Sequence, residues 1–446
     1  MQLRHNDGNA RRGRLRALAL GAGTAGLAIG GLGAAGAAGA ASHPRAAKTT
    51  TITWWASPIS TSGPDMRKVL INAFEKATPG IKVNLQTAPT NTDTNRASLV
   101  TTISGGAASP DVFMGDVIWP AEFGAHGLAV PLSDHLAKSF WSRFAPGLVA
   151  GATYKHKIYG APFFEDQGFF YYRKDLLAAA HLPVPHTWAQ VKADAIRFVK
   201  EKKVKYGFVW EGASYEGGTC DFMEYLTDAG GKVLNAAGTA SAINTPASVR
   251  ALSFMRSLIT SGASPAAVTT FQEPQAMNAF QNGQAAFLRN WDYAYSSSQS
   301  KGSAVIGKVG VEPMPSFSAT SYPGYSNIGG WNLYINPHSK NMAADLKFIE
   351  FMTGPVAQKI EATQFSEIPT NEAIRKLPAV KKVNPVLAIV GDTRLVPRPA
   401  QTPNYPKVSQ AIYSNMNSAL AGSVSPKAAV SAMASQINAA LKGTGL

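Results

Sequence analysis

Residues 159–177 read YGAPFFEDQGFFYYRKDLL, and the fold turns on how this stretch is read. Two adjacent carboxylates, Glu165 and Asp166, stand between Phe163-Phe164 and the aromatic run 169–172. Neighbouring side chains of an extended segment point to opposite faces. Only one of the two acids can therefore face a given cleft, and the other needs a partner elsewhere, because charges in apolar company are costly unless satisfied. Two readings follow. One is a buried strand with a solvent-facing acid. The other is a strand that crosses from one lobe to another and carries an acid into the crevice between them.

Working outward, 446 residues exceed what one hydrophobic core usually supports, so two lobes are expected. Charged residues make up 15% of the chain and hydrophobic residues 45%, the balance of a globular protein. The formal net charge is +15. The first 41 residues hold five arginines against one aspartate, which leaves +11 for the remainder, scattered rather than striped. Nucleic-acid binding wants a basic stripe interleaved with aromatics, and the densest run, KEKKVK at 200–205, reads as a solvated helix end. No nucleic-acid partner is expected, and attraction to an anionic cell surface is the milder inference. The single cysteine, Cys220, excludes an intramolecular disulfide; it lies in an apolar helical pattern and reads as buried.

Residues 1–41 read as an export signal. Arg11, Arg12, Arg14 and Arg16 form a basic start, an Ala/Gly/Leu stretch follows, and small residues close it near Ala41. The twin arginine resembles a Tat signal, but Arg14 stands where that motif prefers an apolar residue, so Tat and Sec export both stay open. No lipobox cysteine follows the apolar run. Cleavage near Ala41 would leave 42–48 as a lead-in; retention as an anchor is the alternative.

The mature part opens with a strand over 49–56 and a helix carrying Leu70, Ala73, Phe74 and Ala77 at helical spacing, closed by Pro79-Gly80. A strand at 81–85, a helix at 95–103 and a buried strand at 111–115 follow, the last delivering Asp116. This alternation is the α/β signature, and such sheets bind ligands at the carboxyl ends of strands. Asp116 could equally be a helix N-cap. Further on, 206–210 reads as a strand and 211–218 as a loop. A helix at 276–280 and a strand at 285–288 precede Arg289, Asn290, Trp291, Asp292 and Tyr293. The Pro-, Ser- and Gly-rich span 313–327 reads as a surface connection, and Gly329-Gly330-Trp331 leads into a strand at 332–335. A last helix starts at Ser425-Pro426 with Val430, Met433, Ile437 and Leu441 on one face.

Three tryptophans, Trp119, Trp291 and Trp331, are placed at the mouths of strands, and Asp116, Asp166, Arg96 and Arg398 could converge on the same cleft. That mixture suits a sugar, whose C–H face stacks on an aromatic ring while its hydroxyls take forked hydrogen bonds from carboxylates and guanidinium groups. Metal chemistry lacks support, since none of the eight histidines has a metal-ligand spacing. The segment Gly212-Ala213-Ser214-Tyr215-Glu216 lacks the second glycine of a nucleophile elbow. No cofactor, metal or catalytic residue is expected.

Several pieces, in their order and spacing, resemble the extracellular solute-binding proteins of ABC sugar importers (family 1), in the branch that contains trehalose/maltose-binding proteins. They are Ala73-Phe74-Glu75-Lys76 with Pro79-Gly80, Pro110-Asp111-Val112 with Asp116-Val117-Ile118-Trp119-Pro120, and Tyr159-Gly160-Ala161-Pro162 with Tyr172-Arg173-Lys174-Asp175. Trp210-Glu211-Gly212-Ala213, Asn290-Trp291, Gly329-Gly330-Trp331-Asn332 and Ile368-Pro369-Thr370 continue the match.

The resemblance implies an α/β fold of two lobes, the type II periplasmic-binding-protein-like architecture, with a multi-strand hinge that closes on the ligand. It places lobe 1 at 49–164 and 328–370, and lobe 2 at 165–327 and 371–446. It assigns substrate binding to Asp65, Arg96, Asp116, Asp166, Trp291, Tyr293, Gly330, Trp331 and Arg398. Of these, Asp116 and Asp166 accept hydroxyls, the arginines fork to them, and Trp291 and Trp331 stack. Phe164 stands where a trehalose binder often has tyrosine, which leaves the sugar's identity open. The implied protein is a monomer outside the cytoplasmic membrane that binds an oligosaccharide such as trehalose or maltose and hands it to the transmembrane subunits of an ABC permease. A glycoside-acting enzyme using Asp116, Asp166, Glu211 and Glu216, or a sugar sensor, would use the same cleft.

Overall fold

The computed structural model describes residues 49–60 and 62–443; the leader over 1–41 and the lead-in at 42–48 lie outside the described residues. Twelve strands are named along the chain: β1 Thr50–Ala56, β2 Ile81–Thr87, β3 Val112–Asp116, β4 Thr153–Tyr154, β5 Lys157–Ile158, β6 Ala161–Arg173, β7 Tyr206–Val209, β8 Ala285–Trp291, β9 Val309–Glu312, β10 Tyr325–Ile335, β11 Ile368–Pro369 and β12 Arg394–Val396. Among the described residues, ten of these form one mixed sheet whose main path runs β2-β1-β3-β10-β6-β8-β7. Strands β9 and β11 also pair with β6, β12 pairs with β10, and β4 and β5 form a separate hairpin.

The aromatic stretch is β6, and it is the strand that both segments of the sheet share. Its first half pairs antiparallel with β10, from Leu333 opposite Ala161 to Ile328 opposite Gln167. From Gly168 onward it pairs with β8 and β9 instead. Nearly every residue of β6 is buried, which explains why the run does not alternate. A strand covered on both faces favours apolar side chains at odd and even positions alike, as in 161–164 and 169–171.

In the first segment β1 lies parallel to both β2 and β3. The helix Met66–Ala77 crosses between β1 and β2 and buries Leu70, Ile71 and Phe74. Trp54 meets Phe163 and Phe348 edge-on, and Phe74 meets Phe348 likewise. In the second segment, Phe170 stacks on Phe287, and Trp188 packs on Tyr225. The terminal helices Tyr405–Ala421 and Pro426–Leu441 pack on one another and on Pro246–Thr260. Ser425 caps the last helix by accepting the Ala428 N–H. Ile374, Val380, Val386 and Leu387, from the short helices after Asn371, join Phe169, Tyr171 and Leu288 in one cluster.

Two stretches differ from the sequence reading. Glu216-Gly217-Gly218 is the first turn of the helix Glu216–Asp228 rather than loop. The glycines that suggest a loop are there for closeness: a Cβ at Gly217 would lie 2.2 Å from the Tyr215 hydroxyl. The span 313–327 is not all surface, since Ser316, Ser326 and Asn327 are buried. Residues 325–327 already belong to β10 and pair in parallel with β12, and the Asn327 N–H donates to the buried Glu224 carboxylate at 3.0 Å. Partners of that kind let polar backbone go inside.

Candidate functional site

A crevice opens where the sheet segments meet, at the carboxyl end of β3, the crossing of β6 and the end of β8. Seven of the nine residues expected from sequence line it: Asp116, Asp166, Trp291, Tyr293, Gly330, Trp331 and Arg398. Asp65 and Arg96 do not. Asp65 caps the helix Met66–Ala77, and its carboxylate takes a fork from Arg67, whose Nε and NH2 donate at 2.9 and 2.8 Å. The Arg67 guanidinium is buried and needs that partner. Arg96 pairs with Glu122 on the helix Pro120–Ala125. Trp119 also misses the crevice: it is fully buried, stacked on Phe123 with ring centroids 5.1 Å apart, and it presents an edge to Trp331.

The backbone of β10 brings Gly330 and Trp331 forward. Its register against β6 shifts between Trp331 and Asn332. Gly330 adopts φ +115°, and a Cβ there would lie 2.5 Å from the Phe164 carbonyl oxygen, so only glycine fits. Trp331 remains half-buried, with its ring on the crevice wall.

On β6 the two adjacent acids part company. Glu165 turns away and accepts from Arg375 at 2.7 Å and Gln167 at 2.6 Å. Asp166 faces the crevice. Behind it stand Asp292 and Glu367, with carboxylate oxygens from all three within 4.8 Å of one another. Burial pushes the Asp166 carboxyl up to about 7, and it drives Asp292 and Glu367 well above the usual carboxylate range. Among the described residues this is the one grouping spaced closely enough to share a cation; the same spacing suits carboxyls that share protons, with protonated partners donating to Asp166. The Ile368 N–H of β11 donates to Asp292 at 2.9 Å.

Arg398 forms the opposite corner. It reaches Asp116 through a fork of 2.8 and 3.3 Å and Glu216 at 2.9 Å. The Tyr405 hydroxyl donates to the same Glu216 oxygen at 2.7 Å. Burial pushes Glu216 up to about 7 against the pull of Arg398. Sequence reasoning named Glu216 only as part of a catalytic alternative and missed Asp93 and Glu273. Asp93 accepts the Glu216 N–H at 2.9 Å, and the Ser60 and Ser297 hydroxyls meet at 2.8 Å, so these contacts clasp the two walls. Glu216 opens a helix, where a carboxylate is favoured, but its placement beside Arg398 is tertiary. Cys220 also lines the crevice; it is buried, and burial raises its thiol far above reactivity.

Trp291 is backed by a cation. The Arg289 guanidinium lies 4.1 Å from its ring centroid. Arg289 is held by Glu224 through a fork of 3.0 and 2.6 Å, by Glu211 at 2.8 Å and by Asp221 at 3.0 Å. Glu211 is thus a partner of this buried cluster. The crevice presents two indole rings, a forked arginine–carboxylate pair and acids at its floor, which can hold a polyhydroxylated ligand through stacking and directed hydrogen bonds.

Comparison with known proteins points the same way. Residues 57–359 match the family described as bacterial extracellular solute-binding protein. A probable ABC transporter-binding protein of Deinococcus radiodurans is 33% identical over 412 residues, covering 90% of this chain and 95% of its own. The maltose-bound MalE3 structure of T. maritima superposes with a TM-score of 0.81 at 34% identity, covering 87% of this chain and 99% of the other. A solute-binding protein of Thermotoga lettingae bound with α-D-tagatose gives 0.80 at 25% identity, covering 88% and 100%. Among the described residues no helix is long and apolar enough to cross a membrane.

Proposed function

From the premise that this chain belongs to the bacterial extracellular solute-binding proteins, we propose that it captures an oligosaccharide, an α-linked disaccharide such as maltose or trehalose, and delivers it to an ABC permease. It works as an exported monomer and does no chemistry of its own. The observation that carries the reading is that Trp291, Trp331 and the Arg398–Asp116 fork line one crevice. A pyranose offers an apolar face to each ring, and its hydroxyls can insert into the charged fork. The maltose-bound relative is the more similar of the two structures by identity, which favours the disaccharide over a monosaccharide such as tagatose. We place the lobes at 49–164 with 328–370 and at 165–327 with 371–446, closing about the crossings of β6, β10 and β11 as the sugar selects the closed form.

Calorimetry with maltose, trehalose, longer maltodextrins, tagatose and glucose tests the reading. Tight binding of a disaccharide supports it, and binding of tagatose or glucose alone overturns the disaccharide assignment. One observation favours a second reading. Burial pushes the carboxyls of Asp166 and Glu216 up to about 7, the range in which a general acid of a glycoside-acting enzyme would work. Against it, Glu216 is already engaged by Arg398 and Tyr405. Release of free glucose on long incubation with maltose or trehalose would reverse the ranking.

A further inference from the structure

We infer that Arg289 is a positioning residue for sugar binding: its guanidinium, buried beneath Trp291, fixes the indole as the stacking platform of the crevice. The inference rests on the sugar-binding reading above. Arg289 and Trp291 are two apart on β8, so their side chains leave the same face of the strand side by side. The guanidinium covers one face of the indole at 4.1 Å, the ring packs with Cys220, Tyr293 and Ile59, and the part of it that remains exposed lines the crevice. The arginine itself has no freedom, being only 1% exposed and held by Glu224, Glu211 and Asp221.

The same cluster reaches the strand crossings. Gly168, opposite Trp291 in the β6–β8 register, leaves the space that Arg289 and Glu224 occupy; a Cβ there would lie 2.4 Å from a Glu224 oxygen and 2.7 Å from NH2 of Arg289. Glu224 also accepts the Asn327 N–H where β10 begins. The platform is thereby tied to both long strands that join the sheet segments. Packing alone does not call for this arrangement. A well-packed apolar side chain usually serves a core as well as a buried ion cluster or better. Here burial holds Glu211 and Asp221 far above the ordinary carboxylate range even with a cation among them. What a forked, planar cation supplies and an aliphatic chain does not is a fixed orientation for the ring stacked on it.

The test is a double-mutant cycle on the full chain, with maltose and trehalose as probes and calorimetric affinity measured per folded molecule well below each variant's melting temperature. Arg289→Lys keeps a charge but loses the plane and the fork. In the native background it should weaken binding about 5- to 30-fold, the loss expected if about 1–2 kcal/mol of the sugar–ring stack depends on the ring's orientation. In the Trp291→Ala background it should weaken binding no further. Because Arg289→Lys alone could unfold the protein, the pair R289M/E224Q, which removes the cation together with one acid, is measured in the same two backgrounds with the same expectation. An equal loss with and without Trp291 would overturn the inference, since Arg289 would then act by another route. So would native affinity in the Arg289 variants while Trp291→Ala is weakened. If Trp291→Ala binds as the native chain does, or the native chain binds neither sugar, the underlying reading fails, and the inference falls with it.

Discussion

Raising the pH from 4.5 to 8 should destabilise the sugar-free protein, and Glu216 should account for a measurable part of the loss. Burial lifts its carboxyl from 4.5 to about 7, while Arg398 pulls the other way. In the unfolded chain the group returns to the ordinary value. Between the two values the folded state holds the proton that the unfolded state releases, so folding stability falls as pH rises. The contribution is fully present below about 4.5, is lost progressively up to about 7, and is flat above that. A shift of roughly 2.5 pH units corresponds to about 3 kcal/mol at 1.36 kcal/mol per unit, and the group is buried, so solvent screening does not reduce it. Glu216→Gln keeps the shape, removes the titration and should flatten the melting-temperature profile between pH 4.5 and 7 relative to the native chain. Thermal melts without sugar, in buffers of constant ionic strength, give the comparison. A Glu216→Gln profile parallel to the native one would refute the reasoning, because the pH dependence would then arise elsewhere. Asp166, also lifted by burial, leaves a residual slope of the same sign.

Other changes should separate ligand contacts from scaffold. Trp331→Ala removes a half-buried stacking face of about 1–3 kcal/mol, a roughly ten- to hundredfold loss of affinity by calorimetry; a collapsed melting temperature with normal affinity per folded molecule would make Trp331 a core residue instead. Arg398→Gln leaves Asp116 and Glu216 facing each other without a cation and should cost about 3–5 kcal/mol in denaturant melts as well as abolishing sugar binding. Asp65→Ala should cost about 0.5–2 kcal/mol through the lost helix cap, more if Arg67 finds no other partner, yet leave sugar affinity unchanged; a tenfold loss of affinity would return Asp65 to the binding site. Small-angle scattering should show a smaller radius of gyration with saturating sugar, and an unchanged radius would count against a closing hinge.

The strand and helix pattern was legible because periodicity reports burial directly: the uninterrupted aromatic run of β6 can only be a strand covered on both sides. Parity along that strand also implied that Glu165 and Asp166 must separate. What was not legible depends on side chains meeting across long gaps in sequence. Arg96 and Asp65 carry the right chemistry for hydroxyls, but each has a nearer partner in Glu122 or Arg67. From the sequence Trp119 and Trp331 both read as rings at the mouth of a strand, and it is the stack on Phe123 that makes Trp119 core, whereas Trp331 lies within β10 at its register shift. Asp292 and Glu367 carry no local mark of function; their importance comes from three segments arriving at one point.

That convergence bears on how recognition is coupled to shape. Asp166 lies on β6 beside its crossing, Gly330 and Trp331 lie at the register shift of β10, and Asp292 follows the end of β8 and accepts a hydrogen bond from β11. A ligand that touches Asp166 and Trp331 therefore touches both long strands that join the sheet segments, and through the Asp166–Asp292 grouping it reaches the end of β8 and β11. A ligand shifts a conformational equilibrium only by its differential affinity for the two states. With its contacts on strands that cannot move independently of the segments they join, affinity for the proposed sugar and preference for the closed form should change together. A substitution within this set that altered affinity with no effect on the ligand-induced change in radius of gyration would separate the two and break the argument.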